Sequence, residues 1–172
     1  MIVGHLPAGY LAATGALEAL GPRPRLRRAL LGVALACSVA PDLDLLYFYG
    51  VDRSAHHHAF PTHWPLAWLA LGAIGLAVAG AMRSRALALG VAFGTGAALL
   101  HIALDSIAGA VRWGAPFSDA ETTLVEVPAR YGWWVWNMVG HWTFGVEAAV
   151  TLAALAVAWR RRRGAAQGVA AA

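Results

Sequence analysis

Long apolar runs separated by short polar segments dominate the chain. Crossing a bilayer takes about 20 residues of helix. Three uninterrupted runs meet this length: Trp64–Met82, Ala86–Val111 and Val135–Trp159. A fourth run, Ala29–Tyr49, is interrupted at Pro41, and a fifth, Leu6–Leu20, is short. The pattern predicts an all-α, polytopic membrane helical bundle with four to five transmembrane helices.

Composition supports the same class of protein. Of the 172 residues, 59% are hydrophobic, and the mean hydropathy is +0.58. These values are typical of integral membrane proteins rather than soluble domains. We therefore expect one integral-membrane domain over residues 1–163 and a disordered C-terminal tail over residues 164–172. The single cysteine, Cys37, excludes an intramolecular disulfide.

The basic residues follow the membrane segments. All 13 are arginines, and most lie in clusters at residues 23–28, 83–85 and 160–163, each beside the end of an apolar run. Cationic short loops stay in the cytoplasm. The position of the arginines therefore favours a membrane topology over nucleic-acid binding, and we expect no nucleic-acid partner.

With the arginine clusters in the cytoplasm, the histidines and most carboxylates fall at the outer side of the bundle. Residues 56–63 hold four of the seven histidines. A carboxylate within a helix span costs about 2.5–3.5 kcal/mol, and Asp42, Asp44 and Asp105 all lie in apolar runs. A divalent metal held by carboxylates and neutral imidazoles would offset this cost.

Three local patterns supply candidate ligands. His101 and Asp105 have i, i+4 spacing, so on one helix face they either share a metal or bond to each other. Pro41 breaks its helix, so Asp42 and Asp44 either project into a buried cavity or cap the resumed helix.

The third pattern lies where a loop meets a helix. His58 and His63 are spaced too widely for one continuous helix face but can converge at such a junction. Thr62 is the predicted N-cap of the following helix, and Pro65 falls in the first turn, where proline is tolerated. His56 and His57 are predicted to be solvated neighbours, and His57 is a candidate substrate contact.

Together these motifs resemble the bacterial membrane-bound metal-dependent hydrolases, which are YdjM-like multi-pass inner-membrane proteins. The resemblance covers roughly residues 1–118. Matching segments are His5 with Gly9, Pro-Asp-Leu-Asp at 41–44, His58 with Thr62 and His63, His-Ile-Ala-Leu-Asp at 101–105, and Trp-Gly-Ala-Pro-Phe-Ser at 113–118. Ala59 and Trp64 depart from the family pattern, which has arginine and serine there. If that arginine binds an anionic substrate group, Arg53 or Arg112 takes its place here.

The resemblance implies a metal-dependent hydrolase in the bacterial inner membrane, with its site facing the periplasm or exterior. The expected metal ligands are His5, Asp42, Asp44, His58, His63, His101 and Asp105. Seven ligands exceed one tetrahedral zinc ion, so we expect divalent metal, with zinc first and two ions rather than one. Asp44 or Glu126 is the expected proton acceptor. The depth of the site suggests membrane lipids as partners and a lipid or phosphoester as substrate.

Two other functions are compatible with the residues. A metal-ion or proton transporter also needs intramembrane histidine and aspartate, although it would want polar residues across the inner half as well. A haem protein could ligate iron through His101 and His141, but it would have no use for the three aspartates.

Overall fold

The computed structural model describes residues 3–53 and 56–170, and the regular secondary structure in these ranges is helical. The only pairing of extended backbone among them is an isolated bridge between Val111 and Thr122. The α-helices are α1 (His5–Leu20), α2 (Pro24–Cys37), α3 (Asp44–Gly50), α4 (Pro65–Ala81), α5 (Arg85–Asp105), α6 (Trp134–Val139) and α7 (Thr143–Ala170). The all-α prediction is confirmed.

Two sharp turns make antiparallel pairs of α1 with α2 and of α4 with α5. Gly21 ends α1 in the left-handed region (φ 56°), which glycine enters without a Cβ penalty, and its N–H donates to the Leu17 carbonyl. Pro24 then starts α2 at a position where its missing N–H costs nothing. Between α4 and α5, Arg83 adopts φ 50° and the Ser84 hydroxyl caps α5 by accepting from the Leu87 N–H.

Helix α5 is the centre of the bundle and packs against α1, α2 and α4. Small residues allow this close approach, as in other membrane helix pairs. A Cβ on Gly72 of α4 would lie 2.7 Å from Thr95 Oγ1, and one on Gly75 would lie 2.8 Å from Val91 Cγ2. The glycines therefore set the spacing between α4 and α5.

Within the described ranges, two helices are long and apolar enough to cross a membrane: α5, and α7 over residues Thr143–Gly164. The pair Pro24–Cys37 and Pro41–Gly50 gives a third span if its 48° bend lies within the membrane. Helix α4 has 17 residues and so reaches about 26 Å, short of the roughly 30 Å hydrocarbon core. The structure thus has two or three spans by length and composition, and the four to five predicted from sequence are not confirmed.

Large apolar side chains cover the outside of the bundle. Ile74 on α4 is 63% exposed and Leu152 on α7 is 67% exposed. Contiguous exposed apolar surface of this kind belongs against lipid. It supports the predicted membrane location independently of helix length.

The breaks between helices differ in part from the sequence prediction. The predicted kink at Pro41 is present as a 3₁₀ turn, Pro41–Leu43. The run 135–159 is not one helix, because α6 ends at Val139 and α7 begins at Thr143. Helix α7 continues to Ala170, through most of the segment predicted as a tail, and residues 171–172 lie outside the described part of the chain.

The antiparallel order separates two kinds of residue. The arginine clusters lie where α1 meets α2, where α4 meets α5 and near the end of α7, and Arg161 of α7 pairs with Glu18 of α1. The predicted ligands lie at the opposite ends of these helices. One end of the bundle is therefore cationic and the other is rich in histidine and aspartate.

Candidate metal centre

Four segments of the chain converge at the histidine-rich end. They are the start of α1, the break before α3, the two 3₁₀ turns between α3 and α4, and the last turns of α5. They bring together all seven predicted ligands: His5, Asp42, Asp44, His58, His63, His101 and Asp105. All except Asp42 are at most 6% exposed. The sequence prediction of one polar cluster is thus matched by the geometry.

Four ligand atoms form a ring in which imidazole nitrogens alternate with carboxylate oxygens. Asp42 Oδ1 lies 3.8 Å from His63 Nε2 and 3.6 Å from His101 Nε2. Asp105 Oδ2 lies 3.6 Å from His63 Nε2 and 3.0 Å from His101 Nε2. Neighbouring ligands on a tetrahedral zinc ion lie about 3.3–3.6 Å apart. The two sides of 3.6 Å agree with this spacing, whereas the sides of 3.0 Å and 3.8 Å would have to adjust slightly around a bound ion.

Hydrogen bonds fix which nitrogen each histidine presents. His101 Nδ1 is 2.8 Å from the Ser38 carbonyl oxygen and His58 Nδ1 is 3.1 Å from that of Ala110. A carbonyl oxygen only accepts, so both Nδ1 atoms carry the hydrogen and donate. In the neutral ring the lone pair is then on Nε2. Both Nε2 atoms face Asp105 Oδ2, at 3.0 Å for His101 and 3.7 Å for His58.

His63 is oriented by a carboxylate. Its Nδ1 donates to Asp44 Oδ2 over 2.7 Å, and the Thr62 hydroxyl donates to the same oxygen over 2.8 Å. A carboxylate behind a ligating histidine fixes the ring and raises its basicity. Thr62 therefore supports Asp44 rather than capping α4, whose N-cap is Trp64 without a side-chain cap.

The arrangement calls for a cation. Within the described residues, Nε2 of His63 and of His101 are buried and make no hydrogen bond. Lone pairs facing carboxylate oxygens repel unless positive charge lies between them. A proton relieves one such contact, whereas a divalent ion relieves several together. The donor set of imidazoles and carboxylates suits zinc, so the residues fit the metal that the sequence predicts.

Asp105 links the ring to a further histidine. Its Oδ1 lies 3.1 Å from His5 Nε2, and the His5 ring stacks on His101 with 3.6 Å between centroids. On the other side of the ring, Asp44 Oδ1 lies 3.6 Å from His57 Nδ1. The cluster therefore extends in two directions from the ring, and His57 belongs to it although the sequence assigned His57 only to substrate binding.

Burial and neighbouring carboxylates act in opposite directions on the pKa values of His56, His58 and His63. Burial lowers the pKa of His58 to about 3, although Asp105 opposes this shift. The pKa of His56 is also lowered, again first by burial and then by His57. Burial works in the same direction on His63, but the neighbouring carboxylates of Asp105 and Asp44 outweigh it and the pKa of His63 is raised. His58 is consequently neutral at physiological pH, as a metal ligand must be.

A cavity of about 460 Å³ opens beside the cluster. Its polar wall contains Asp42 and the histidines at residues 56–58. Its apolar wall comes from α3 and α6 and contains Leu45, Phe48, Tyr49, Trp134 and Met138. The cavity thus connects the cluster to a mostly apolar space.

Three predicted functional residues lie apart from the cluster contacts. Glu126 is exposed in the long segment between α5 and α6, so its catalytic role rests on sequence alone. Arg112 pairs with Glu121 and Asp119, each at 3.1 Å. Arg53 lies over the Tyr49 ring, 5.2 Å from its centroid. Of the two arginines, Arg53 is the one beside a residue that lines the cavity.

His141 also lies outside the described cluster contacts. Its Nδ1 is 3.0 Å from Thr143 Oγ1, at the start of α7. The histidine pair proposed for haem is therefore not supported by any contact between His101 and His141 among the described residues.

No role was predicted for Glu147 from the sequence, and the structure connects this residue to the cluster. Its side chain is buried at 1% exposure. Oε2 accepts hydrogen bonds from the Val3 N–H at 2.6 Å and the Gly4 N–H at 3.0 Å. It thereby serves the start of α1, directly before His5, where helix N–H groups need acceptors. A lone carboxylate in an apolar run was the available indication, but its partner could not be read from the sequence.

The bundle and its polar end define an integral membrane protein with a buried histidine–aspartate cluster. A family model, the YdjM inner membrane protein, matches residues 1–172. The chain therefore belongs to the YdjM inner membrane protein family. No curated protein and no solved structure shows significant similarity to it.

Proposed function

We propose that the protein is a membrane-embedded metal-dependent hydrolase. The observation that carries the proposal is the common direction of three histidines. His58, His63 and His101 each engage an oxygen through Nδ1 and turn Nε2 toward Asp105. This is how ligating histidines are held in metal sites.

The metal would be held by the two groups that share Asp105, which are His5 with His101 and His58 with His63. Asp42 Oδ1 lies beside Nε2 of both His63 and His101. Zinc is the metal that this donor set favours. When bound, such a cation would lower the pKa of a coordinated water to about 7.

The proton acceptor in this proposal is Asp44, acting through His57. Asp44 is buried, and its Oδ1 lies 3.6 Å from His57 Nδ1. His57 lines the cavity, so it can receive a proton from water there and share it with the carboxylate behind it. Hydrolysis forms a bond from the water oxygen to the acyl carbon or phosphorus and breaks the bond to the leaving oxygen, which takes the proton.

The proposed orientation places the cluster at the periplasmic side of the inner membrane. The support is the separation of the arginine-rich end from the histidine-rich end, because cationic loops remain in the cytoplasm. In this topology α4 and α1 also cross the membrane, which gives the four to five passes expected from sequence. Both helices are short, so the bilayer would have to thin around them.

The location at the membrane surface favours a lipid or phosphoester as substrate. A transporter would instead need polar groups continuing through the bundle. The groove between α1, α2 and α5 begins one helical turn from His5 and His101, and glycine, alanine, phenylalanine and leucine line it. This apolar lining supports a hydrolase over a transporter.

Metal analysis of the detergent-purified protein, followed by hydrolysis assays on phospholipid and phosphodiester analogues, tests the proposal. We expect stoichiometric zinc or another divalent ion, and His101→Ala should lower both metal content and hydrolysis. His141→Ala is the matched control, since His141 bonds to Thr143 instead. Wild-type protein that binds no divalent metal would refute the site. Fully metallated protein that hydrolyses nothing on a broad panel would favour transport.

A further inference from the structure

The cavity beside the cluster has two chemically different walls. Asp42 and His57 lie on one wall, and both belong to the candidate metal groups. The opposite wall is formed by α3 and α6, which are joined by a 2.9 Å hydrogen bond from Trp134 Nε1 to the Tyr49 hydroxyl. A ligand that fills this space must therefore be polar at one end and apolar at the other.

The size of the cavity limits the ligand further. Pockets for drug-sized ligands have volumes of about 300–1,000 Å³, and this cavity of about 460 Å³ lies in the lower half of that range. That is space for one chain with a small polar group rather than for a large headgroup. Its apolar wall also adjoins lipid-facing surface, since Leu46 on α3 is 74% exposed. A chain could therefore enter from the membrane.

We propose that the cavity is the substrate site for a single-chain amphiphile, such as a lysophospholipid or another ester of one fatty acyl chain. The proposal rests on the hydrolase function and names its substrate class. The acyl chain lies between Leu45 on α3 and Met138 on α6, and the ester lies against Asp42 and His57. Arg53, beside the Tyr49 ring, is a cation available for a negatively charged headgroup.

Photo-crosslinking tests this binding site without requiring hydrolysis. The probe is a lysophosphatidylcholine with a diazirine in its chain, added to the purified protein in lipid nanodiscs. We expect crosslinks mapped by mass spectrometry to concentrate in residues 44–50 and 134–139. Excess unlabelled lysophospholipid should compete, whereas inorganic phosphate should not. Competition by inorganic phosphate alone would identify a small polar ligand instead and overturn the proposal.

Two substitutions on neighbouring positions provide a matched pair. Leu45→Trp fills the cavity and should lower crosslinking by about tenfold, because extra side-chain volume in a packed space excludes the chain. Leu46→Trp adds the same volume on the lipid-facing side and should leave crosslinking unchanged. Met138→Trp fills the cavity from α6 and controls for a folding defect that is specific to Leu45→Trp. Equal labelling of all variants, or labelling spread over α4 and α7, would overturn the proposal.

The same samples separate this inference from the hydrolase proposal. Metal content should be unchanged in Leu45→Trp, and His101→Ala should still be crosslinked because its apolar wall is intact. Labelling of the cavity without hydrolysis in any metallated sample would contradict the hydrolase and leave the chain-binding site standing. Hydrolysis of phosphodiesters without cavity labelling would contradict the chain-binding site and leave the hydrolase proposal standing.

Discussion

Asp44 Oδ2 accepts a 2.7 Å hydrogen bond from His63 Nδ1, and this bond turns the other nitrogen of His63 toward the cluster. This hydrogen bond changes the role predicted for Asp44. Besides being a candidate ligand, Asp44 orients a second candidate ligand, His63. Its effect on metal binding and its effect on proton transfer should then be separable by substitution.

Asp44→Asn should weaken zinc binding by about 10–100-fold, the usual cost of losing a carboxylate behind a ligating histidine. The amide oxygen can still accept from His63, so saturating zinc should restore occupancy. Hydrolysis should stay low, because an amide does not take up a proton. Competition with a chelating dye measures the affinity. Recovery of hydrolysis at full zinc occupancy would show that Asp44 serves the metal site alone.

Gly109→Ala should disturb the metal site through His58. A Cβ on Gly109 would lie 2.6 Å from His58 Cε1, closer than side-chain contacts allow, so the imidazole would have to move. We expect a lower zinc affinity in the same dye assay. Gly96→Ala on α5 is the control, because its Cβ meets nothing within 4 Å. Equal zinc affinity in both variants would mean that His58 is not a ligand.

Glu147→Ala should lower zinc affinity although Glu147 lies on α7. The substitution leaves the Val3 and Gly4 N–H groups without their carboxylate acceptor. Loss of a buried acceptor costs about 1–3 kcal/mol and loosens the start of α1, which carries His5. Glu147→Gln retains an acceptor oxygen and should recover part of the affinity, as measured by zinc titration.

Glu126→Gln is the matched control for Glu147. Its side chain is exposed, so the substitution should not change zinc affinity. If Glu147→Ala leaves zinc affinity at the wild-type value while lowering the melting temperature, Glu147 has a structural role only.

A cysteine at Asp119, in a Cys37→Ala background, should react with a membrane-impermeant thiol reagent in intact cells. Asp119 is 94% exposed and follows the histidine-rich end of α5, which is on the outer side in the proposed topology. A cysteine at Arg162 is the opposite control and should react only after lysis. The reverse labelling pattern would put the cluster on the cytoplasmic side.

The sequence predicted the fold class and the membership of the cluster because both depend on local patterns. Apolar runs mark helices, Pro41 marks a break, and His101 with Asp105 share a face by spacing alone. The connection of Glu147 to the start of α1 could not be predicted, since it joins residues at opposite ends of the chain.

The break between α6 and α7 also could not be predicted from the sequence. Gly140, His141 and Trp142 interrupt the helix inside a run that remains largely apolar, so hydropathy gives no sign of it. The orienting role of Asp44 was missed for a related reason. The hydrogen bond of Asp44 depends on where the 3₁₀ turn Pro61–His63 places the His63 ring. The sequence of such a short segment does not predict that position.

The order in which the segments are made has a consequence for assembly. His5 leaves the ribosome first, and Asp105, which contacts it at 3.1 Å, is the last predicted ligand to be synthesised. An ion at the proposed site would be captured fully only after α5 has entered the membrane, and its binding energy would then become folding energy for the whole bundle. Newly inserted chains in zinc-starved cells should accordingly be degraded faster than metallated ones, with the ion acting as the final step of biogenesis.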